Sequence, residues 1–195
     1  MADALIWVVA LPLAGAVATL LLPRAATAVV IASGLGTGAA AAALLYGVAT
    51  HGPLDYAIGG WSAGLGIALR ADALSALLVM MTALVALAAS VYSSAYFNKA
   101  RQRARFGPLW LLLWTALNAL LLSGDLFNLY VTLELLGLSA VALAALAGSA
   151  AAVRAALRYL LNYDTIMGPF GKDLALEGGF RLAHAADLPN CEARC

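Results

Sequence analysis

The stretch DLFNLYVTLELLGLSAVALAALAGSAAAV, residues 125–153, decides the fold because it has the length and apolar composition of a transmembrane helix. After Asp125, its one charged residue is Glu134. A helix entering at Asp125 and rising about 1.5 Å per residue places Glu134 about 13 Å deep, near the midplane of a hydrocarbon core roughly 30 Å thick. An ionised side chain there costs at least about 2.5–3.5 kcal/mol. Such a group usually carries a proton or ion, or pairs with another buried charge.

The composition of the whole chain excludes an ordinary soluble domain. Of its 195 residues, 64% are hydrophobic and 11% are charged, and the mean hydropathy is +0.93. Soluble domains have about 45–50% apolar and about 25% charged residues. Long neutral windows predict helical spans at about 4–22, 27–50, 73–96, 107–123 and 126–148. We therefore predict an all-α fold, a multi-pass membrane helix bundle over 1–161, followed by a polar tail over 162–195.

The basic residues predict the orientation of these helices. The first span follows Asp3 instead of a basic segment and is longer than a typical signal core, so we interpret it as a retained helix. If the spans alternate, one side of the membrane carries Arg24, Lys99, Arg101, Arg103, Arg105, Arg154 and Arg158, and the other carries only Arg70. Lys and Arg mark the cytoplasmic side. The amino terminus and the 51–72 loop are therefore predicted outside, and the tail is predicted to be cytoplasmic.

Small residues and turn residues predict local features of the bundle. Gly34, Gly36 and Gly38 in the second span favour close helix packing. Without a preceding strand they do not form a dinucleotide-binding loop. Gly59-Gly60 in the 51–72 loop predicts a hairpin, and Asp72 is placed to cap the third span.

Asp125 begins the fifth span after the tight turn Ser123-Gly124. Its carboxylate is placed to accept backbone N–H bonds and to face the positive end of the helix dipole. A carboxylate at which protons enter from outside is the alternative. Asp125 and Glu134 are nine residues apart, about 180° around a helix, so they do not form a paired-carboxylate site.

The residues around Glu134 leave two interpretations open. Tyr130, one turn earlier, is placed to bond the carboxyl, and Gly137, one turn later, leaves room for water or a neighbouring helix. Burial favours the protonated form of a carboxyl unless a cation is near, and a group poised between its two forms suits a proton relay. The alternative is a neutral Glu134 that anchors two helices. For Asn118, in the fourth span, we favour a hydrogen bond between helices over a role on a proton pathway.

The polar tail departs from the membrane pattern. It is either a short cytoplasmic tail or a non-native ending to a chain that would otherwise continue as membrane helix. Cys191 and Cys195 with His184 make an incomplete metal-ligand set, so we expect no metal site and reduced thiols. The sequence shows no catalytic residues, nucleophile–base pair or phosphate-binding loop.

Several segments resemble the antiporter-like membrane subunits shared by respiratory complex I and multisubunit cation/proton antiporters. They are 70–77 (RADALSAL), 123–131 (SGDLFNLYV), 133–136 (LELL) and 154–161 (RAALRYLL). The GDLFNLYV run with the following glutamate is most similar to the D subunit of the sodium/proton antiporters. The resemblance covers about residues 1–161.

The resemblance implies a role for Glu134. In that family a glutamate on the fifth helix works with a lysine on a later helix to move protons, and Glu134 matches that glutamate. The pattern ends at about Asn162, so the lysine has no counterpart, and Lys172 in the polar tail does not take its role. The chain thus resembles the amino-terminal part of such a subunit.

Three functional hypotheses follow. The first is a membrane subunit that translocates protons or exchanges monovalent cations for protons, with Glu134 as relay and Tyr130, Asp125 and Asn118 supporting it. The second is a membrane subunit of an NADH–quinone or related oxidoreductase, and the third is a truncated inactive fragment. We expect a multi-pass protein of the bacterial inner membrane. Its expected partners are other membrane subunits, lipid, and protons or sodium ions, with no cofactor of its own and no nucleic acid.

Overall fold

A computed structural model describes residues 3–57, 67–97, 100–146, 152–160 and 162. The described elements are α1 (Asp3–Leu21), a 3₁₀ turn (Pro23–Ala25), α2 (Ala26–His51), β1 (Leu54–Ala57), β2 (Ala68–Ala71), α3 (Ala73–Tyr96), α4 (Ala100–Leu121) and α5 (Leu126–Ala145). A further helical segment covers 152–160. Among the residues that the structure describes, five helices are long and apolar enough to cross a membrane, which confirms the predicted all-α membrane bundle.

The helices pack around α4. It contacts α1, α2, α3 and α5. Of the residues in its most apolar 18-residue stretch, 44% are buried, compared with 22% in the corresponding stretch of α5. The core contains the fully buried Leu5, Leu44 and Leu111. The bundle has two ends: the hairpin end, where β1, β2 and the α4–α5 turn lie, and the arginine end, where α3 meets α4.

Helix α4 begins earlier than the predicted span, which started at residue 107. The spacing of charged residues predicts only the uncharged part of a helix. The helix itself can extend into the polar residues beyond the hydrocarbon core. Arg103 and Arg105 lie in the first turns of α4, where Arg103 is half-buried and Arg105 is exposed. Pro108 lies inside the helix without ending it.

Aromatic side chains join α3 to α4 at the arginine end. The ring centroids of Phe97 and Phe106 are 4.9 Å apart, and those of Phe106 and Trp110 are 5.7 Å apart. The Trp110 Nε1–H donates to the Ser90 hydroxyl oxygen at 2.9 Å. The part-buried indole N–H thereby finds an acceptor, and the bond links α3 to α4.

The predicted small-residue packing is confirmed at Gly34 and not at Gly38. A Cβ added at Gly34 would lie 3.0 Å from Leu87 and 3.3 Å from Trp114, whereas one added at Gly38 would meet no described atom within 4 Å. The closest approach was not predicted: a Cβ at Gly15 of α1 would overlap the hydroxyl of Ser33 in α2.

The predicted hairpin and the predicted helix cap are both confirmed. β1 and β2 pair antiparallel, with Asp55 opposite Arg70, while Gly59-Gly60, where the sequence predicts the turn, lies outside the described residues. Asp72 caps α3, because its carboxylate accepts from the Ser75 N–H at 2.7 Å and the Ser75 hydroxyl accepts from the Asp72 N–H at 2.9 Å. The backbone N–H of Ser75, followed by its hydroxyl, lowers the pKa of the Asp72 carboxyl.

Candidate proton-relay site

Glu134 lies in the middle of α5, in the third turn after the helix begins at Leu126. Its side chain is half-buried. Among the described residues, the ion pair that the structure shows is Arg70–Asp55, and Glu134 takes no part in it. A carboxyl group is therefore placed at mid-helix within an apolar span.

The direction of Glu134 around α5 is informative. At about 100° per residue, Phe127, Leu138 and Val131 lie within about 60° of Glu134. Their side chains are 72%, 51% and 44% exposed. The buried polar residues Asn128, Thr132 and Ser139 lie about 120–160° away from Glu134. Glu134, itself half-buried, therefore lies on a strip of α5, residues Phe127, Val131, Glu134 and Leu138, whose three apolar members the described helices leave exposed. We call this strip the Glu134 face.

Tyr130 and Gly137 lie one turn before and one turn after Glu134. Tyr130 is half-buried and Gly137 is buried. Helical spacing brings Tyr130 within about 40° of Glu134 around the axis. Its predicted hydrogen bond to the Glu134 carboxyl stays a prediction.

Asp125 caps α5 as predicted and also makes a contact that the sequence did not predict. One carboxylate oxygen accepts from the Asn128 N–H at 2.6 Å, which satisfies a backbone donor that the first turn of a helix leaves open. The other accepts from the Ala68 N–H, the first residue of β2, at 3.0 Å. The second bond joins residues 57 positions apart, and no local pattern announces it.

Asn118 makes the predicted bond between helices. Its Nδ2 donates to the Val8 carbonyl oxygen of α1 at 2.9 Å, and its side chain is fully buried. The Asn118 Oδ1 is buried and accepts no hydrogen bond from the described residues. Asn118 therefore joins α1 to α4, and the structure does not bring it together with Glu134.

Other polar residues inside the bundle were not predicted from the sequence. The Thr132 hydroxyl donates to the Asn128 carbonyl at 2.8 Å, and Ser139 donates to Leu135 at 2.6 Å, so both satisfy their hydroxyls within α5. The buried Nδ2 of Asn128 and Nε1 of Trp114 donate to no described acceptor. Neutral polar residues within an apolar span were the available signal. Among the described residues, no group of three His, Cys, Asp or Glu could hold a metal ion, and Cys191, Cys195 and His184 lie outside them.

Comparison with known proteins supports the family resemblance from which the relay role of Glu134 was predicted. The chain is 35% identical over 118 residues to the D subunit of the Na(+)/H(+) antiporter of Bacillus subtilis, covering 60% of this chain and 24% of that protein. It is 38% identical over 163 residues to the N subunit of the NADH-quinone oxidoreductase of Desulforudis audaxviator, covering 80% of this chain and 32% of that protein. The chain is homologous to antiporter-like membrane subunits. No family model matches it.

Two solved structures extend this antiporter-like homology to the fold. An archaeal membrane-bound sulfane sulfur reductase complex matches with a TM-score of 0.76 at 25% identity, over 83% of this chain and 34% of the matched chain. The Mrp complex of a Dietzia species matches with a TM-score of 0.65 at 30% identity, over 72% of this chain and 26% of the matched chain. The chain spans about a quarter to a third of the length of the curated relatives it matches.

Proposed function

We propose that the chain serves in a multisubunit membrane complex that translocates protons or exchanges monovalent cations for protons, with Glu134 as a protonatable relay. The observation that carries the proposal is the carboxyl of Glu134, held at mid-helix on the Glu134 face. A carboxylate in contact with lipid is costly, so further protein or a hydrated cavity must cover this face. The relatives have much sequence beyond the matched part, and their names and titles include antiporters and a respiratory membrane complex.

The test is Glu134→Gln in the intact complex. Glutamine keeps the shape and hydrogen bonding of a protonated glutamate but cannot exchange a proton, so transport should fall to background while assembly is unchanged. Glu134→Asp should retain part of the activity. Asp55→Asn is the matched control, because it removes an exposed carboxylate that pairs with Arg70 at 3.8 Å outside the membrane span. Full proton-coupled transport by Glu134→Gln at normal assembly would refute the relay.

A second candidate is the membrane part of an NADH–quinone or related oxidoreductase. The match to the N subunit of such an enzyme favours it, since that match covers 80% of this chain. The two candidates differ in partners rather than in the chemistry of Glu134. Purification of the assembled complex separates them: flavin and iron–sulfur proteins indicate the oxidoreductase, and small membrane subunits alone indicate the antiporter.

We propose that the protein resides in the bacterial inner membrane with its amino terminus outside. The basis is the bias of Lys and Arg toward the arginine end. In this orientation the hairpin end, with Asp125, faces the outside, and Glu134 lies between the two aqueous phases.

A further inference from the structure

The carboxylate of Asp125 divides its two oxygens between two elements. Oδ1 accepts from the Asn128 N–H in the first turn of α5, and Oδ2 accepts from the Ala68 N–H of β2. A cap needs only the first of these bonds. The second makes Asp125 a link between the hairpin and the helix that carries Glu134.

Two backbone hydrogen bonds made by residues just before Asp125 reinforce this link. The Gly124 N–H donates to the Ala68 carbonyl at 2.8 Å, and the Arg70 N–H donates to the Leu122 carbonyl at 2.8 Å. A Cβ at Gly124 would lie 3.0 Å from the Ala68 carbonyl oxygen, so glycine permits this close approach. The α4–α5 turn therefore lies along β2, with an isolated antiparallel bridge between Leu69 and Ser123.

Few other contacts fix the outer position of α5. This helix packs chiefly against α4, and its apolar 18-residue stretch is the least buried among the five described membrane-length helices. Glu134 follows Asp125 by nine residues, about 13 Å along the axis. A change in the depth or rotation of α5 at Asp125 is therefore carried to Glu134 by the rigid helix between them.

We propose that Asp125 is a positioning residue for Glu134, because its Oδ2 bond to Ala68 holds α5 at a fixed depth and rotation against the hairpin. The inference rests on the proposed relay function of Glu134. It also gives the hairpin a structural role. Because β2 leads directly into the Asp72 cap of α3, Asp125 joins the starts of α3 and α5, between which the described helices make few contacts.

Two substitutions separate the link from the cap. Asp125→Asn replaces one of the two acceptor oxygens with an NH2 group, which donates and does not accept, so in the present geometry either the bond from Asn128 or the bond from Ala68 loses its acceptor. Asp125→Ser keeps a good capping hydroxyl but has one oxygen on a shorter side chain. Asp55→Asn is the control, since it removes a hairpin carboxylate that takes no part in either bond. All are made in the intact complex.

The measurement combines transport with the infrared carbonyl band of protonated Glu134, identified as the band that Glu134→Gln abolishes. We expect Asp125→Asn and Asp125→Ser to assemble, to slow transport between about 10- and 100-fold, and to shift the Glu134 band. Asp55→Asn should leave both unchanged. A merely structural role would lower the amount of complex without moving the band in what assembles.

Three outcomes would overturn the inference: an unshifted Glu134 band in both variants, wild-type transport in both, or loss of assembly in both. If Glu134→Gln abolishes transport while the Asp125 variants keep the band in place, the inference fails and the proposed function stands. If Glu134→Gln retains transport, the proposed function fails independently of Asp125.

Discussion

The side-chain amide of Asn118 donates a hydrogen bond to a helix carbonyl that lacks its usual backbone donor because of Pro12. Val8 lies four residues before Pro12 in α1, so its carbonyl would accept from the backbone N–H at position 12 in a regular helix, and proline has none. The Asn118 Nδ2 donates to that carbonyl at 2.9 Å. An asparagine on α4 thus satisfies a buried acceptor created by a proline on α1.

The pair predicts a rescue. Asn118→Leu should destabilise the bundle by about 1–3 kcal/mol, because the Val8 carbonyl is left buried without a donor. The cost should shrink when Pro12→Ala is added, since a backbone N–H then returns at position 12. Unfolding of the four proteins in detergent gives the double-mutant cycle. If Asn118→Leu lowered the free energy of unfolding equally with and without Pro12, the unpaired Val8 carbonyl would not be the cause of the destabilisation.

Close packing of α1 and α2 makes a second prediction. Gly15→Ala should destabilise by about 1–3 kcal/mol, because the new methyl overlaps the Ser33 hydroxyl and lies 3.0 Å from Leu111. Gly38→Ala is the matched control in an open position, where alanine gains helix propensity of about 1 kcal/mol. Thermal unfolding of both variants checks the difference. Equal stability would mean that α1 and α2 do not approach as closely as described.

The orientation can be tested with single cysteines after Cys191 and Cys195 are replaced by serine. In intact cells, a membrane-impermeant thiol reagent should label Asp55→Cys at the hairpin end. It should label Arg105→Cys at the arginine end only after the membrane is opened. The reverse pattern would invert the orientation and place Asp125 on the cytoplasmic side.

The sequence predicted the features that depend on neighbouring residues. The five spans follow from charge spacing, and the Asp72 and Asp125 caps follow from a carboxylate before an apolar run. The bond between helices from Asn118 was predicted in kind, because a buried amide in an apolar helix needs a partner.

What the sequence did not predict depends on distant residues. The acceptor of Asn118, the carbonyl of Val8, lies 110 positions away, and the second donor to Asp125 lies 57 positions away. The spacing of apolar residues does not fix which helices become neighbours. The roles of Glu134 and Tyr130 in proton transfer stay predictions.

The Glu134 face leads to the last prediction. If further protein covers it, a photoreactive amino acid at Leu138, about 40° from Glu134 around the axis, should cross-link to protein in the intact complex. The same probe at Ser139, which is 1% exposed, should cross-link within this chain. The same probe at Leu84 of α3, which is 53% exposed, is the control for an exposed apolar position on another helix. Cross-linking of Leu138 to lipid alone would leave Glu134 bordering hydrocarbon, where the cost of its charge would keep it protonated and unfit for a relay.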